Sequence, residues 1–468
     1  MRASTIRSSL ESKLRSLETD LSEWQTVVGD PGVASSDFLV FAKHQSQIAR
    51  LYDLFSGIVR KLKSELDDHI RLIGPDSFDS PKELSLKILQ GHALWAYFRN
   101  KFLLRRSPNL RKYLSAADEF AWACFKPLSV ASQQVTGDAG ASKVPPLIYL
   151  GQDLSPFVYP RDWSLSSEIK NVNDQVFRSV IEKAPVSLVS LPYYQTAHLP
   201  ETMVLAHEMG HVVEMDLGLS TTLDESLEAI PDATIPQQRK EVWKRCRIEA
   251  FADVFGATAG GVAFCHALAN FLAKSRDKIV NEDFGKKSKY EYPTCFLRVL
   301  LALEVLRGKD GKLPPAAAII HADWIEDYGS HHLHTEYEND LGSIVKCFVD
   351  TPFQAFGGKR SIRDIVGLTR EDEEQAATDA REMAESSTIP EANDARVLFA
   401  AATLAYYESP EKYVARGVEN LVLDRIEAIA DKVPRAAKNV TASVHESDHA
   451  RGVGLADLLG SSAEPNAD

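Results

Sequence analysis

Apolar side chains recur three and four residues apart over most of this chain, the spacing of an α-helix with one buried face. In the N-terminal third Leu10, Leu14, Leu17, Leu21 and Trp24 form one such stripe, and Ile48, Leu51, Phe55, Ile58 and Leu62 form a second. Gly29, Asp30, Pro31 and Gly32 lie between them, so the pattern predicts an antiparallel helical hairpin. Ser80, Pro81 and Glu83 supply a cap, a first-turn proline and a capping-box acid for another helix, and a further helix is expected from about Ser115 to Phe125. The pattern changes after a Gly/Ala/Pro-rich stretch at 133–146, where Leu147–Leu150 and Pro185–Pro192 read as strands. The second run is either an edge strand or an ordinary internal strand. Beyond Gly308 the text is helical again, with a capped start at Thr369 and helices over Ala395–Tyr407 and Glu411–Val433. These patterns predict a predominantly helical α+β protein. An N-terminal helical domain spans 1–135, a mixed unit with the strands 136–310 and a C-terminal helical region 311–440, with a disordered polar tail over 441–468.

One helical stretch carries chemistry. Met203–Val213 is apolar and free of proline, yet holds His207, Glu208 and His211. Residues four apart share a helix face, so the two imidazoles can grip one metal ion while Glu208 faces a water on it. The five-residue pattern arises by chance in roughly a few per cent of chains of this composition, so a third ligand is needed to decide. Glu249 and Asp253, four apart in the alanine-rich stretch Arg247–Phe255, provide a carboxylate for the metal and another to orient a ligand histidine.

His207-Glu208-x-x-His211 followed 38 residues later by Glu249-x-x-x-Asp253 resembles the gluzincin metallopeptidases, the group that includes thermolysin. The likeness covers about Pro185 to Phe255. It implies a zincin-like catalytic domain with a small sheet, one Zn2+ per chain held by His207, His211 and Glu249, Glu208 as general base, and Asp253 behind His207. The metzincin pattern fits worse, because Val212–Ser220 holds no histidine. Gluzincins steady the oxyanion with a downstream His or Tyr, and His321, Tyr328 and His331, in a segment with four of the thirteen histidines, are the candidates. A surface loop would explain that segment equally well.

Composition narrows the reading. The 468 residues suffice for two or three domains, and a net charge of -13 argues against nucleic acid or an anionic membrane as the main partner. The most apolar window, Val254–Ala273, contains Gly256, Gly260, Gly261, His266 and Asn270 and reads as a buried helix or helix pair, not a membrane span. Five scattered cysteines without Cys-x-x-Cys spacing, and no apolar run behind the N-terminal arginines, suggest a reducing, cytoplasmic setting. The leucine stripes would serve a homo-oligomer or partner, or pack within the chain, as short seams favour. The expected activity is zinc-dependent hydrolysis of peptide bonds in a protein or peptide substrate. The alternatives are an inactive zincin scaffold that binds partners and a zinc hydrolase of a non-peptide amide.

Overall fold

The computed structural model describes residues 3–29, 41–72, 79–136, 144–152, 155–159, 172, 174–287, 290–329, 333–430 and 442–460. Helices dominate. In chain order they begin α1 (Ala3–Gly29), α2 (Gln45–Leu72), α3 (Asp79–Leu103) and α4 (Pro108–Thr136). Then come β1 (Leu147–Gly151), β2 (Phe157–Tyr159), α5 (Asp174–Lys183) and β3 (Leu188–Pro192). The 3-10 helix Leu199–Val204 leads into α6 (Leu205–Asp216), followed by α7 (Ser220–Glu228), α8 (Gln237–Leu272) and α9 (Arg276–Val280). A short hairpin, β4 (Gly285–Lys287) and β5 (Tyr290–Tyr292), precedes α10 (Cys295–Val305), α11 (Pro315–Tyr328), α12 (Leu341–Val345), α13 (Ile362–Val366) and α14 (Arg370–Ser386). The chain closes with α15 (Ala395–Glu408), α16 (Pro410–Arg416), α17 (Val418–Ile429) and α18 (Ala442–Ala456).

A three-stranded sheet separates two cores. β3 lies in the middle, parallel to β1 and antiparallel to β2, so the run before the motif helix is an internal strand. Side chains alternate across it, as the period of two requires. Leu147, Tyr149 and Leu188 face a core built from α1, α2, α3 and α5, whereas Ile148, Val158, Val189 and Leu191 face the core that holds α6 and α8. Both leucine stripes are spent inside the first core. α4 belongs to the second, through Tyr113, Phe120, Phe125 and Leu128, so the packing divides the helices before α4 and not at residue 135.

The end of the chain departs from the expected disordered tail. Residues 442–456 form α18, which lies along α2, while 461–468 fall outside the described residues. Two glycines permit the contact: a Cβ on Gly57 would meet the His449 carbonyl oxygen at 2.1 Å, and one on Gly452 would meet the Leu54 carbonyl oxygen at 1.8 Å. Asp448, fully buried, pairs with Arg50, and His445 pairs with Asp53. The segment is too polar to show an apolar stripe because backbone proximity and ion pairs do the docking. The expected helix over 411–433 is likewise divided, at Gly417, whose φ of 62° suits glycine.

Candidate metal centre

α6 is buried on every side from Leu205 to Glu214, although His207, Glu208, His211 and Glu214 lie among its apolar residues. Its polar residues must therefore find partners inside the protein. They find them on α8, which runs antiparallel to it. Glu214 pairs with Arg247, His211 with Glu249, Gly210 packs on Ala252, and His207 meets Asp253. Gly210 sets the spacing, since a Cβ there would lie 2.7 Å from the Ala252 Cα and 3.1 Å from the Phe255 Cβ. Tyr113 on α4 fixes the entry to α6 through a 2.8 Å hydrogen bond between its hydroxyl and that of Thr202.

Three side chains converge between these helices. The Nε2 atoms of His207 and His211 are 3.0 Å apart, Glu249 Oε2 is 3.3 Å from His207 Nε2, and Glu249 Oε1 is 3.7 Å from His211 Nε2. Ligand atoms of all three lie within 4.8 Å of one another and all three residues are buried. A tetrahedral zinc ion with bonds of about 2.0–2.1 Å spaces its ligands about 3.3–3.4 Å apart, so the donor set has the chemistry and the spacing to hold one. Glu208, also buried, adjoins His207 on the same turn.

Behind His207 stands a charged relay. Its Nδ1 lies 2.8 Å from Asp253 Oδ1, which leaves Nε2 to face Glu249 and His211. Burial alone would lower the His207 pKa, but the hydrogen bond and charge of Asp253, followed by those of Glu249, raise it to about 9 in the metal-free protein. Asp253 is fully buried, which would raise its pKa, yet the Arg298 charge and hydrogen bonds hold it below the usual carboxylate range. Arg298 Nε donates to Asp253 Oδ2 at 2.6 Å and Nη2 to Oδ1 at 2.9 Å. Arg298 sits on the first turn of α10, 45 residues beyond Asp253. One sequence signal could have found it: Arg298 is the one charge in the apolar run Cys295–Leu303, and a buried charge needs a buried acid.

Among the described residues, the metal-ligand cluster includes none from the segment downstream. Tyr328 on α11 donates its hydroxyl hydrogen to the Lys274 carbonyl at 3.1 Å. His321 lies two helical turns earlier, on the same face, and that face therefore turns to the end of α8. His331 lies outside the described residues. His334, next along, pairs with Asp283 at 2.8 Å.

α8 itself is two helical arms joined at Gly261, whose φ of 59° and ψ of -146° no other residue adopts without strain. The Val262 N–H donates to the Glu373 carboxylate and the Leu368 N–H donates to the Thr258 carbonyl, so one backbone group on each side of the break has a partner outside the helix. This is the helix pair expected for the apolar window, and although its 36 residues are long enough to span a membrane, 89% of its most apolar window is buried. All five cysteines are free and buried. Comparison of the chain with protein-family profiles, with curated proteins and with solved structures finds no match.

Proposed function

We propose that this protein is a zinc-dependent metallohydrolase that cleaves peptide bonds, built on a zincin-like arrangement of β3, α6 and α8. The observation that carries the reading is the convergence of His207 Nε2, His211 Nε2 and a Glu249 carboxylate within 4.8 Å, from two helices, with Glu208 on the adjoining position. Three protein ligands leave the fourth position for water or substrate, the pattern of catalytic and not structural zinc. A zinc ion held there supplies Lewis acidity, polarising a carbonyl and making water acidic near neutral pH.

The side chains divide the remaining work. His207 and His211 would hold the ion through Nε2, and Asp253 keeps the His207 ring in the tautomer that makes this nitrogen available. Glu249 would contribute one negative charge, so a centre loaded with a divalent ion would keep net positive charge. Glu208 accepts the proton of the attacking water and returns it to the leaving amine. Peptide as substrate rests on the likeness of the two motifs to gluzincins, and a non-peptide amide would use the same groups.

Glu208→Gln tests the reading. It keeps the side-chain shape and removes the proton acceptor, so activity should fall by about 10²–10⁴-fold while zinc content is unchanged. The same variant should retain substrate on purification, and comparing the proteomes of cells with active and Glu208→Gln protein would identify it. Undiminished cleavage of the captured target by Glu208→Gln would refute the mechanism.

A further inference from the structure

We infer that Arg298 is a positioning residue of the metal centre, whose two-pronged hold on Asp253 fixes the His207 ring for metal binding. The inference rests on the proposed zinc site and adds a residue outside both motifs.

The geometry gives Asp253 no freedom. One oxygen takes the Arg298 Nε at 2.6 Å, and the other is shared by Arg298 Nη2 at 2.9 Å and His207 Nδ1 at 2.8 Å. A carboxylate torsion is otherwise broad, and a bidentate guanidinium is the side chain that removes that breadth. The remaining lone pair on Oδ1 then has one direction, and His207 lies in it. Arg298 is held in turn: it is buried, sits on a helix whose start is capped by the Thr294 hydroxyl accepting from the Leu297 N–H, and has the Tyr292 ring 5.8 Å from its guanidinium carbon. A metal-ligating histidine is thus tied to α10 through Asp253 on α8, and three helices define its angle.

Two physical roles are available to such an arginine, and they differ in sign. If Arg298 acted on the metal only through its positive charge, removing it would relieve repulsion and tighten zinc binding. If it acts by holding Asp253, removing it loosens the His207 ring and weakens binding by roughly ten- to a hundred-fold, the usual cost of a lost supporting contact. The geometry points to the second. Arg298→Lys separates them further, because it keeps the charge and loses the fork.

The test is zinc affinity of the full-length protein, by competition with a chromophoric chelator, in wild type, Arg298→Lys, Arg298→Gln, Asp253→Asn and the double variant Arg298→Gln/Asp253→Asn. Far-UV circular dichroism checks folding. Arg298→Gln leaves Asp253 as a buried charge without its arginine, which the double variant and Arg298→Lys avoid. Expected are weaker binding for Arg298→Lys by about ten-fold, and no further loss when Arg298→Gln is added to Asp253→Asn, since both act through one contact. Wild-type affinity in Arg298→Lys, tighter binding in Arg298→Gln, or additive losses in the double variant would overturn the inference while leaving the zinc site standing. A wild-type protein that binds no zinc would overturn the site and this role together.

Discussion

The molecule contains two buried trios of the same residue types, and they do different things. His207, Asp253 and Arg298 stand at the candidate metal centre; His44, Asp118 and Arg105 stand where α4 meets the first core and the sheet. In both, an arginine grips an aspartate with two or more hydrogen bonds and a histidine approaches the same carboxylate. The difference lies on the far side of the ring. His207 faces a second imidazole and a carboxylate, whereas the other nitrogen of His44, at 2.5 Å, meets the Gln47 amide oxygen. Gln47 then donates to the carbonyls of Pro145 and Pro146, and Arg105 to that of Ile148, so this trio ends on backbone. The pKa shifts follow. Burial and then the Arg105 charge lower that of His44, while Asp253 and Glu249 outweigh burial and raise that of His207. A buried His-Asp-Arg trio is thus a brace by default, and becomes a candidate site only where further donor atoms converge on the free nitrogen.

Breaking each trio at its aspartate sharpens the contrast. Asp118→Ala leaves Arg105 as a lone buried charge and should cost about 3–5 kcal/mol of stability, with zinc affinity unchanged. Chemical denaturation and metal titration of that variant check both halves. Asp253→Asn likewise leaves the buried Arg298 without its carboxylate and should cost stability too, but it should in addition weaken zinc binding about ten- to a hundred-fold, which Asp118→Ala should not. Equal effects of the two on zinc would show that the comparison is mistaken.

Smaller is the effect of Gly210→Ala, which drives a methyl into the Ala252 backbone at 2.7 Å. Separating α6 from α8 should cost about 1–3 kcal/mol and displace His207 and His211 relative to Glu249, so lower stability and weaker zinc binding are expected together. A matched alanine elsewhere on α6 would not couple the two readouts.

Smallest is the pH signature of the brace. The lowered folded-state pKa of His44 contributes stability above the unfolded value, about 6.5, and that contribution is lost as pH falls through it, because the unfolded chain takes up a proton that the buried ring does not. Asp118, held below the usual carboxylate range by the Arg105 charge against its burial, adds a second loss in the same direction below about pH 4. In the metal-free protein the raised His207 pKa adds stability as pH falls from about 9 to about 6.5, so the brace is read below that range: urea midpoints should fall from about pH 6 to pH 4 in wild type, and His44→Gln should flatten the first part of the decline. A midpoint that rose on acidification through this window would contradict the assignment.

Local residues made much of this legible. His207, Glu208 and His211 share one turn, Glu249 and Asp253 share another, and helical spacing alone sets their common faces. The helices themselves are legible where an apolar stripe or a cap is strong, as at Leu10–Trp24 or at Thr369, whose hydroxyl accepts from the Asp372 N–H. What escaped the sequence depends on distant partners. Arg298 has meaning only beside Asp253, and Gly210 only beside Ala252. α18 docks through Gly57 and Gly452 and through Arg50 and Asp448, none of which leaves a hydrophobic period. The oxyanion candidates were drawn from a cluster of histidines in sequence, and the hydroxyl of Tyr328 is spent instead on a backbone carbonyl.

The central claim is that one metal ion is held by His207, His211 and Glu249. Elemental analysis of the purified full-length protein, alongside His211→Ala and with folding checked by circular dichroism, tests it most directly. The account predicts one zinc per wild-type chain and a large loss of bound zinc in the folded His211→Ala variant. Full zinc occupancy in His211→Ala, or a wild-type chain that takes up no zinc even when it is supplied, would contradict it.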